Sequence, residues 1–503
     1  MRNRSAGITL SYVNTFLHMF CGLFLSAFLL RSLGKTEYGI YQTIASFANY
    51  LVLLQFGVGT VMTRNLSVCR SKNAGLDEIN RNISTLWTIT NVLAGVILLV
   101  SVGFYFSVGI IFSGSMTTGQ IAYGQKMLIF ITVYLLFSFY NQALGGIPLS
   151  FEKYTYSSLL SIVTTASRTL LLISLIFMFK YSIIIAIVDM SLSVASFLYT
   201  WGYCKQKFKI DFSFKNFDFS IFKASLPLCI AIFLQVIVNQ ANNNVDKFII
   251  GIKMKPADVA LYSVGLYIYS IFSSLTTIPI TIYAPQVAAN VTIGHSGKKL
   301  TDSLIQPSRL ISLIGGMVLF GFIAVGKQFI SIVYGKDYLL AWWIALIIMV
   351  PMFINMTNGV IVNVLDVLNK RIIRSLALLI TTITNIILTI FFIDWFGIIG
   401  ATIATGICTL LGQVLIMNIY YQKSIGIHVL YMFFKTYKGI LVYQFLGMAA
   451  ALIVGKLIEN IYLSFIAGGV LFVIIALGGF ILFGMNDEER KMLHRILPFK
   501  RRV

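Results

Sequence analysis

Long apolar runs recur from one end of this chain to the other, with little between them. Fourteen fall near 8–31, 39–62, 84–106, 127–148, 157–179, 182–203, 222–251, 258–286, 308–333, 339–365, 373–394, 398–421, 439–458 and 462–484. A helix rises about 1.5 Å per residue, so about twenty residues cross the roughly 30 Å hydrocarbon core of a bilayer. In lipid the backbone has to satisfy its own polar groups, and apolar runs of this length do so as helices. The sequence therefore predicts an all-α polytopic membrane protein of about 14 transmembrane helices. Hydrophobic residues are 58% of the 503, and the loops are too short to fold as a catalytic domain. Function is expected inside the bundle, and no enzymatic activity is expected.

A net charge of +21 invites a nucleic-acid partner, but its distribution argues otherwise. With the N-terminus inside, 27 of the 38 Lys and Arg fall on cytoplasmic segments, 9 on external ones, and Arg168 and Lys247 within spans. That bias is the positive-inside pattern, so the charge reads as orientation and contact with anionic headgroups, and no nucleic acid is expected. Both termini are then cytoplasmic. Arg2 and Arg4 precede a run too long for a cleaved signal, which reads as an uncleaved first span. Cys21, Cys69, Cys204, Cys229 and Cys408 show no metal or disulfide spacing, and no Gly-x-x-x-x-Gly-Lys-Ser/Thr is present. No cofactor or metal is expected. Any work this protein does is expected to draw on an ion gradient or the membrane potential.

The stretch Asn239 to Gly251 breaks the apolar pattern. It places Asn239, Gln240, Asn242, Asn243, Asn244, Asp246 and Lys247 late in the seventh run. Charge near the bilayer centre costs about 2.5–3.5 kcal/mol on insertion scales, so such a cluster is a functional-site hypothesis by default. On a 3.6-residue period Gln235, Asn239, Asn242 and Asp246 form one stripe.

The chain also echoes itself. Glu37, Ile40 and Tyr41 recur, 221 residues on, as Asp258, Leu261 and Tyr262. Glu152-Lys153 and Asn369-Lys370 each lead into a Ser/Thr-rich span. Six spans per repeat is even, so the halves share an orientation about a pseudo-twofold axis along the membrane normal, a recurrent transporter design. The expected layout is an N-lobe at 1–204, a basic cytoplasmic linker at 205–223 and a C-lobe at 224–422. Two further helices at 436–485 and a cytoplasmic basic tail at 486–503 complete it.

Leu33-Gly34, Tyr38-Gly39, Phe56-Gly57 and Arg64 resemble the opening of polysaccharide flippases of the multidrug/oligosaccharidyl-lipid/polysaccharide exporter superfamily. Asp246 with Ile249-Ile250-Gly251, Val333-Tyr334-Gly335-Lys336-Asp337-Tyr338, Asn385, Phe396-Gly397 and Gly400-Ala401-Thr402 are similar to later segments of that family. The resemblance spans nearly the whole chain. It implies transfer of undecaprenyl-diphosphate-linked oligosaccharide units across a bacterial cytoplasmic membrane for O-antigen, capsule or exopolysaccharide assembly. It also implies alternating access through a central cavity between lobes, membrane lipids and a polysaccharide polymerase as partners, and a monomer. The alternative in the same superfamily is an ion-coupled drug or organic-cation antiporter.

Such a substrate needs cations for its diphosphate and amides, hydroxyls and aromatic rings for its sugars. Arg168, in the middle of the fifth run, suits a phosphate fork equally with a buried ion pair to Asp189. Lys247 suits phosphate contact or snorkelling to the interface. Arg31, Arg64 and Arg309 lie near helix ends, where interfacial anchoring competes with ligand binding. Asn14, Asn239, Asn242 and Asn243 are candidate sugar partners. Asp246, Asp189 and His18 are candidates for ion coupling. Gln42, Asn49, Gln55, Asn141, Gln142, Asn355, Asn358 and Asn363 extend the amide set, with interhelical bonding as the competing role.

Overall fold

The computed structural model describes residues 2–208, 210, 216–368 and 370–490. Within these, the side chains of Gln235, Asn239, Gln240, Asn242, Asn243 and Asn244 lie outside the described set, as do linker residues 209 and 211–215 and the tail from 491. The described chain is helical throughout. It divides into two compact units, Met1–Ser263 and Val264–Val503.

Among the described residues eleven helices are long and apolar enough to cross a membrane, or twelve if the bent pair Val429–Tyr437 and Leu441–Leu457 is one span. Two differences account for the fourteen expected. The first two runs join in one helix, α1 (Arg2–Ala48), of 47 residues. At about 70 Å it is too long for one crossing, and it breaks at Gly34, whose φ of 79° and ψ of 170° suit a residue without Cβ. The seventh run forms α7 (Phe219–Lys253), of which Phe219–Ile230 is apolar but shorter than a span, and the side chains at 231, 234, 235 and 237–244 lie outside the described set.

In the first unit α2 (Val58–Ser71) and α4 (Thr118–Ser150) touch backbone to backbone. A Cβ on Gly59 would meet the Gln142 carbonyl oxygen at 2.2 Å, and one on Gly146 would meet the Gly59 carbonyl at 2.5 Å. Glycine pairs permit this approach in a membrane, where packing rather than the hydrophobic effect joins helices. Between them, α3 (Leu76–Ile111) and α4 lies a core holding Ile83, Leu86, Phe139 and Leu144, all fully buried. That core fixes α4.

α5 (Tyr154–Phe179) and α6 (Ile183–Phe208) complete the surroundings of the site. The start of α6 is held from outside. Glu37 Oε2 accepts from the Ser182 backbone N–H at 3.3 Å and its hydroxyl at 2.7 Å, and Tyr123 Oη accepts from the Ile183 N–H at 3.0 Å. These contacts satisfy N–H groups at the helix start and tie α6 to α1 and α4. α7 starts with Asp218 as cap, accepting from Ser220 Oγ at 2.6 Å and its N–H at 2.8 Å. Those bonds hold the Asp218 carboxyl below the usual range.

In the second unit α9 (Gly297–Val333) packs on α10 (Leu340–Thr357) and on the last two apolar helices, around Ala324, Ala451, Phe472 and Ala476. The amides of the tenth run bond to other helices. Asn355 Nδ2 donates to Gln413 Oε1 at 2.8 Å, Asn358 Nδ2 to Asn418 Oδ1 at 2.8 Å, and Asn363 Nδ2 to the Ile280 carbonyl at 3.1 Å. Gln413 sits in a π-helical turn, Thr409–Ile416. For these three asparagines interhelical bonding is the role observed.

Candidate functional site

Helices α1, α4, α5 and α6 of the first unit line a partly open cavity of about 410 Å³. Its polar lining arrives in helical register. α4 contributes Tyr134, Ser138 and Asn141, α6 contributes Asp189, Ser193 and Ser196, and α5 contributes Thr164, Thr165 and Arg168. Residues at i, i+4 and i+7 share a face, so each helix turns one polar stripe inward. His18 and Tyr41 come from α1, and Asn49 from the 3₁₀ turn that follows it.

Arg168 and Asp189 are the charged centre. Arg168 Nε donates to Asp189 Oδ1 at 2.5 Å and Nη2 to Oδ2 at 3.0 Å, a two-bond fork between α5 and α6. The pair is unevenly covered: 37% of the Arg168 side chain is exposed against 11% of Asp189. The fork uses two of the five guanidinium N–H groups. Among the described residues Nη1 has no acceptor, and the Arg168 side chain lines the cavity. A guanidinium held by one edge presents its remaining donors for a second oxyanion. Both roles weighed for Arg168 are thus compatible with one geometry.

The other candidates lie apart. Asn14 and Ser161 bond mutually across α1 and α5, Nδ2 to Oγ at 2.9 Å and Oγ to Oδ1 at 3.2 Å, which occupies the Asn14 amide. Arg31 and Arg64 are exposed, on α1 and α2. Asp246 is buried and accepts from the Tyr262 hydroxyl at 2.8 Å, tying α7 to α8 (Pro256–Thr292). Lys247 is half-buried one residue on, and neither lines the cavity of the first unit. Asn239, Asn242 and Asn243 lie outside the described side chains. Of the expected set the structure therefore gathers Arg168, Asp189 and His18, with Asn49 and Asn141 of the wider amide set.

It adds Tyr41, Tyr134, Ser138, Thr164, Thr165, Ser193 and Ser196. Only the Ser/Thr-rich fifth run had signalled any of these. The i, i+4, i+7 spacing of Asp189, Ser193 and Ser196, and of Tyr134, Ser138 and Asn141, was the signal available for the serines and Tyr134.

Arg309, expected as an interfacial anchor, is instead buried within α9 of the second unit. Nε and Nη2 bond the Glu489 carboxylate at 2.7 and 3.0 Å. Nη1 bonds the carbonyls of Lys435, Thr436 and Lys438 at 3.0, 3.4 and 2.7 Å, and Nη2 that of Gly484 at 2.9 Å. Every donor is engaged, so this arginine has no free edge for a ligand.

A family model described as polysaccharide biosynthesis protein matches residues 5–291. A probable low-salt glycan biosynthesis flippase, Agl15 of Haloferax volcanii, is 24% identical over 172 residues, 34% of this chain and 36% of that protein. The chain thus matches little more than a third of that relative's length. Among solved structures, the lipid II flippase MurJ in an inward closed conformation superposes with a TM-score of 0.71 at 17% identity, over 98% of this chain and 100% of that one. An inward-facing multidrug resistance MATE family transporter of the MOP superfamily gives 0.62 at 12% identity, over 83% and 99%. At these identities the likeness concerns the fold.

Proposed function

This chain belongs to the polysaccharide biosynthesis protein family, and we propose that within it the chain is a flippase for undecaprenyl-diphosphate-linked oligosaccharides. The observation that carries the reading is the open edge of Arg168 in a cavity lined with hydroxyls, phenols and two amides. The diphosphate takes the free donors of Arg168, and the sugars take the stripes of α4, α5 and α6. The polyprenyl tail stays in lipid. Arg31, Arg64 and Lys247 serve as further cations on the route, and Asn14, Asn239, Asn242 and Asn243 as sugar partners. Asp189, Asp246 and His18 are the candidates for ion coupling.

Transport proceeds by alternating access of the lobes 1–204 and 224–422, from the cytoplasmic to the outer leaflet of the cytoplasmic membrane. The protein works as a monomer, in company with a polysaccharide polymerase. A reporter fused after Val503 or within the 204–223 loop is expected to read cytoplasmic. An external signal at either contradicts the orientation.

A cation antiporter would need net negative charge in its cavity. Here one arginine faces one aspartate, so the lining lacks the net negative charge that a cationic substrate needs. Deleting the gene in its host should remove the surface polymer and accumulate its lipid-linked repeat unit in the inner leaflet. An unaltered surface polymer would contradict the reading.

A further inference from the structure

The two ends of the Asn141 amide meet different surroundings. Nδ2 donates to the Ser193 carbonyl of α6 at 2.8 Å. Oδ1 belongs to a cavity-lining residue, is itself buried, and has no hydrogen-bond partner among the described residues. The orientation is set by chemistry: turned over, the amide would face one oxygen with another. Buried side-chain acceptors are nearly always met in folded proteins, so this one calls for a partner.

Its place relative to Arg168 is defined by α6. Ser193, which holds Asn141, is four residues past Asp189, which holds Arg168. Four residues are about one turn, roughly 6 Å along the axis. Neighbouring turns of one helix therefore hold a cation with open donors and an amide whose buried acceptor is unmet. An ionised phosphate has no proton to donate, so Asn141 Oδ1 repels it and Arg168 attracts it. A sugar hydroxyl or acetamido N–H has the opposite preference.

We propose that Asn141 is a specificity-determining residue, whose Oδ1 accepts a hydrogen bond from the sugar next to the diphosphate while Arg168 holds the phosphate. The inference rests on the flippase reading and deepens it by naming the atom that tells a glycosylated lipid diphosphate from a bare one. The substrate class follows: its first sugar carries a hydroxyl or amide donor within one helical turn of the phosphate.

The test compares two soluble probes of equal charge on the full-length protein in detergent. One is farnesyl-diphosphate-linked N-acetylglucosamine. The other is the cyclohexyl ester of farnesyl diphosphate, a ring of similar size without donors. The wild type is expected to bind the sugar probe about tenfold more tightly, as one hydrogen bond to a buried acceptor provides. Asn141→Leu should bring the ratio of affinities to about one, and Asn141→Ala serves if the leucine variant does not fold. A wild-type ratio of about one, or a tenfold ratio that survives in the variant, overturns the assignment of Asn141 alone. Failure of both probes to bind the wild type overturns the flippase reading and this inference with it.

Discussion

Arg168 in the first unit and Arg309 in the second are both forked onto a carboxylate between helices, and they differ in what the fork leaves over. Arg309 has 4% of its side chain exposed and gives every donor to the protein. Arg168 has 37% exposed, gives two donors to Asp189 and turns the rest toward a polar cavity. A buried guanidinium costs much to desolvate, and full hydrogen bonding is what makes the burial tolerable. Arg309 meets that condition internally and so acts as a joint between α9, the Val429–Tyr437 helix and the chain near Glu489. Arg168 meets it only in part, so water or a substrate oxyanion supplies the remainder. Donor saturation, more than depth, separates the structural arginine from the binding one.

The largest expected effect breaks the saturated side. Arg309→Ala strands the Glu489 carboxylate and several carbonyls, and should lower unfolding stability by about 3–5 kcal/mol. Thermal unfolding in detergent measures it. An unchanged midpoint would mean that saturation does not mark a structural role.

Asp246 and Tyr262 provide an intermediate case. Asp246 is 6% exposed and accepts the Tyr262 hydroxyl, and it is also a proposed coupling group. Tyr262→Phe removes one hydrogen bond to a charged acceptor, worth about 1.5–3 kcal/mol. A loss in that range with the ion dependence of transport retained places Asp246 with Arg309. Altered ion dependence at little cost in stability places it with Arg168.

Asp189→Asn probes the unsaturated side. Because the Arg168 guanidinium is partly solvated, losing its partner's charge should cost only about 1 kcal/mol, near the upper end for exposed pairs. A cost like that of Arg309→Ala would erase the contrast between the two arginines.

The smallest effect sharpens the boundary of the site. Asn14 and Ser161 satisfy each other, so Asn14→Ala and Ser161→Ala should couple by about 0.5–1.5 kcal/mol in a double-mutant cycle. A coupling near zero, with transport lost on Asn14→Ala, would show that Asn14 acts on the substrate and not through Ser161.

Much of this fold is legible in the sequence because a bilayer makes hydropathy nearly decisive. The spans fall where the apolar runs predict, apart from the first two, which join in one helix that breaks at Gly34, and the seventh, part of whose side chains lie outside the described set. The Arg168–Asp189 pair was also legible, since two opposite charges at similar depth on consecutive spans have few alternatives. The cavity lining was less so. Ser138, Ser193 and Ser196 are ordinary in membrane helices, and only their facing stripes turn them into a site. Arg309 was least legible, because its partners lie 126 to 180 residues away in sequence. Charge at a helix end looks the same whether it meets a headgroup or a carboxylate brought by the fold.

The central claim is that the open edge of Arg168 binds the anionic head of a lipid-linked sugar. Its most direct test is the appearance of lipid-linked sugar in the outer leaflet, read with a membrane-impermeant reagent, in cells with matched amounts of each variant. Arg168→Lys, which keeps the charge and loses the fork, should transport partially, and Arg168→Ala should not transport. Wild-type transport by Arg168→Ala at matched abundance would contradict the account.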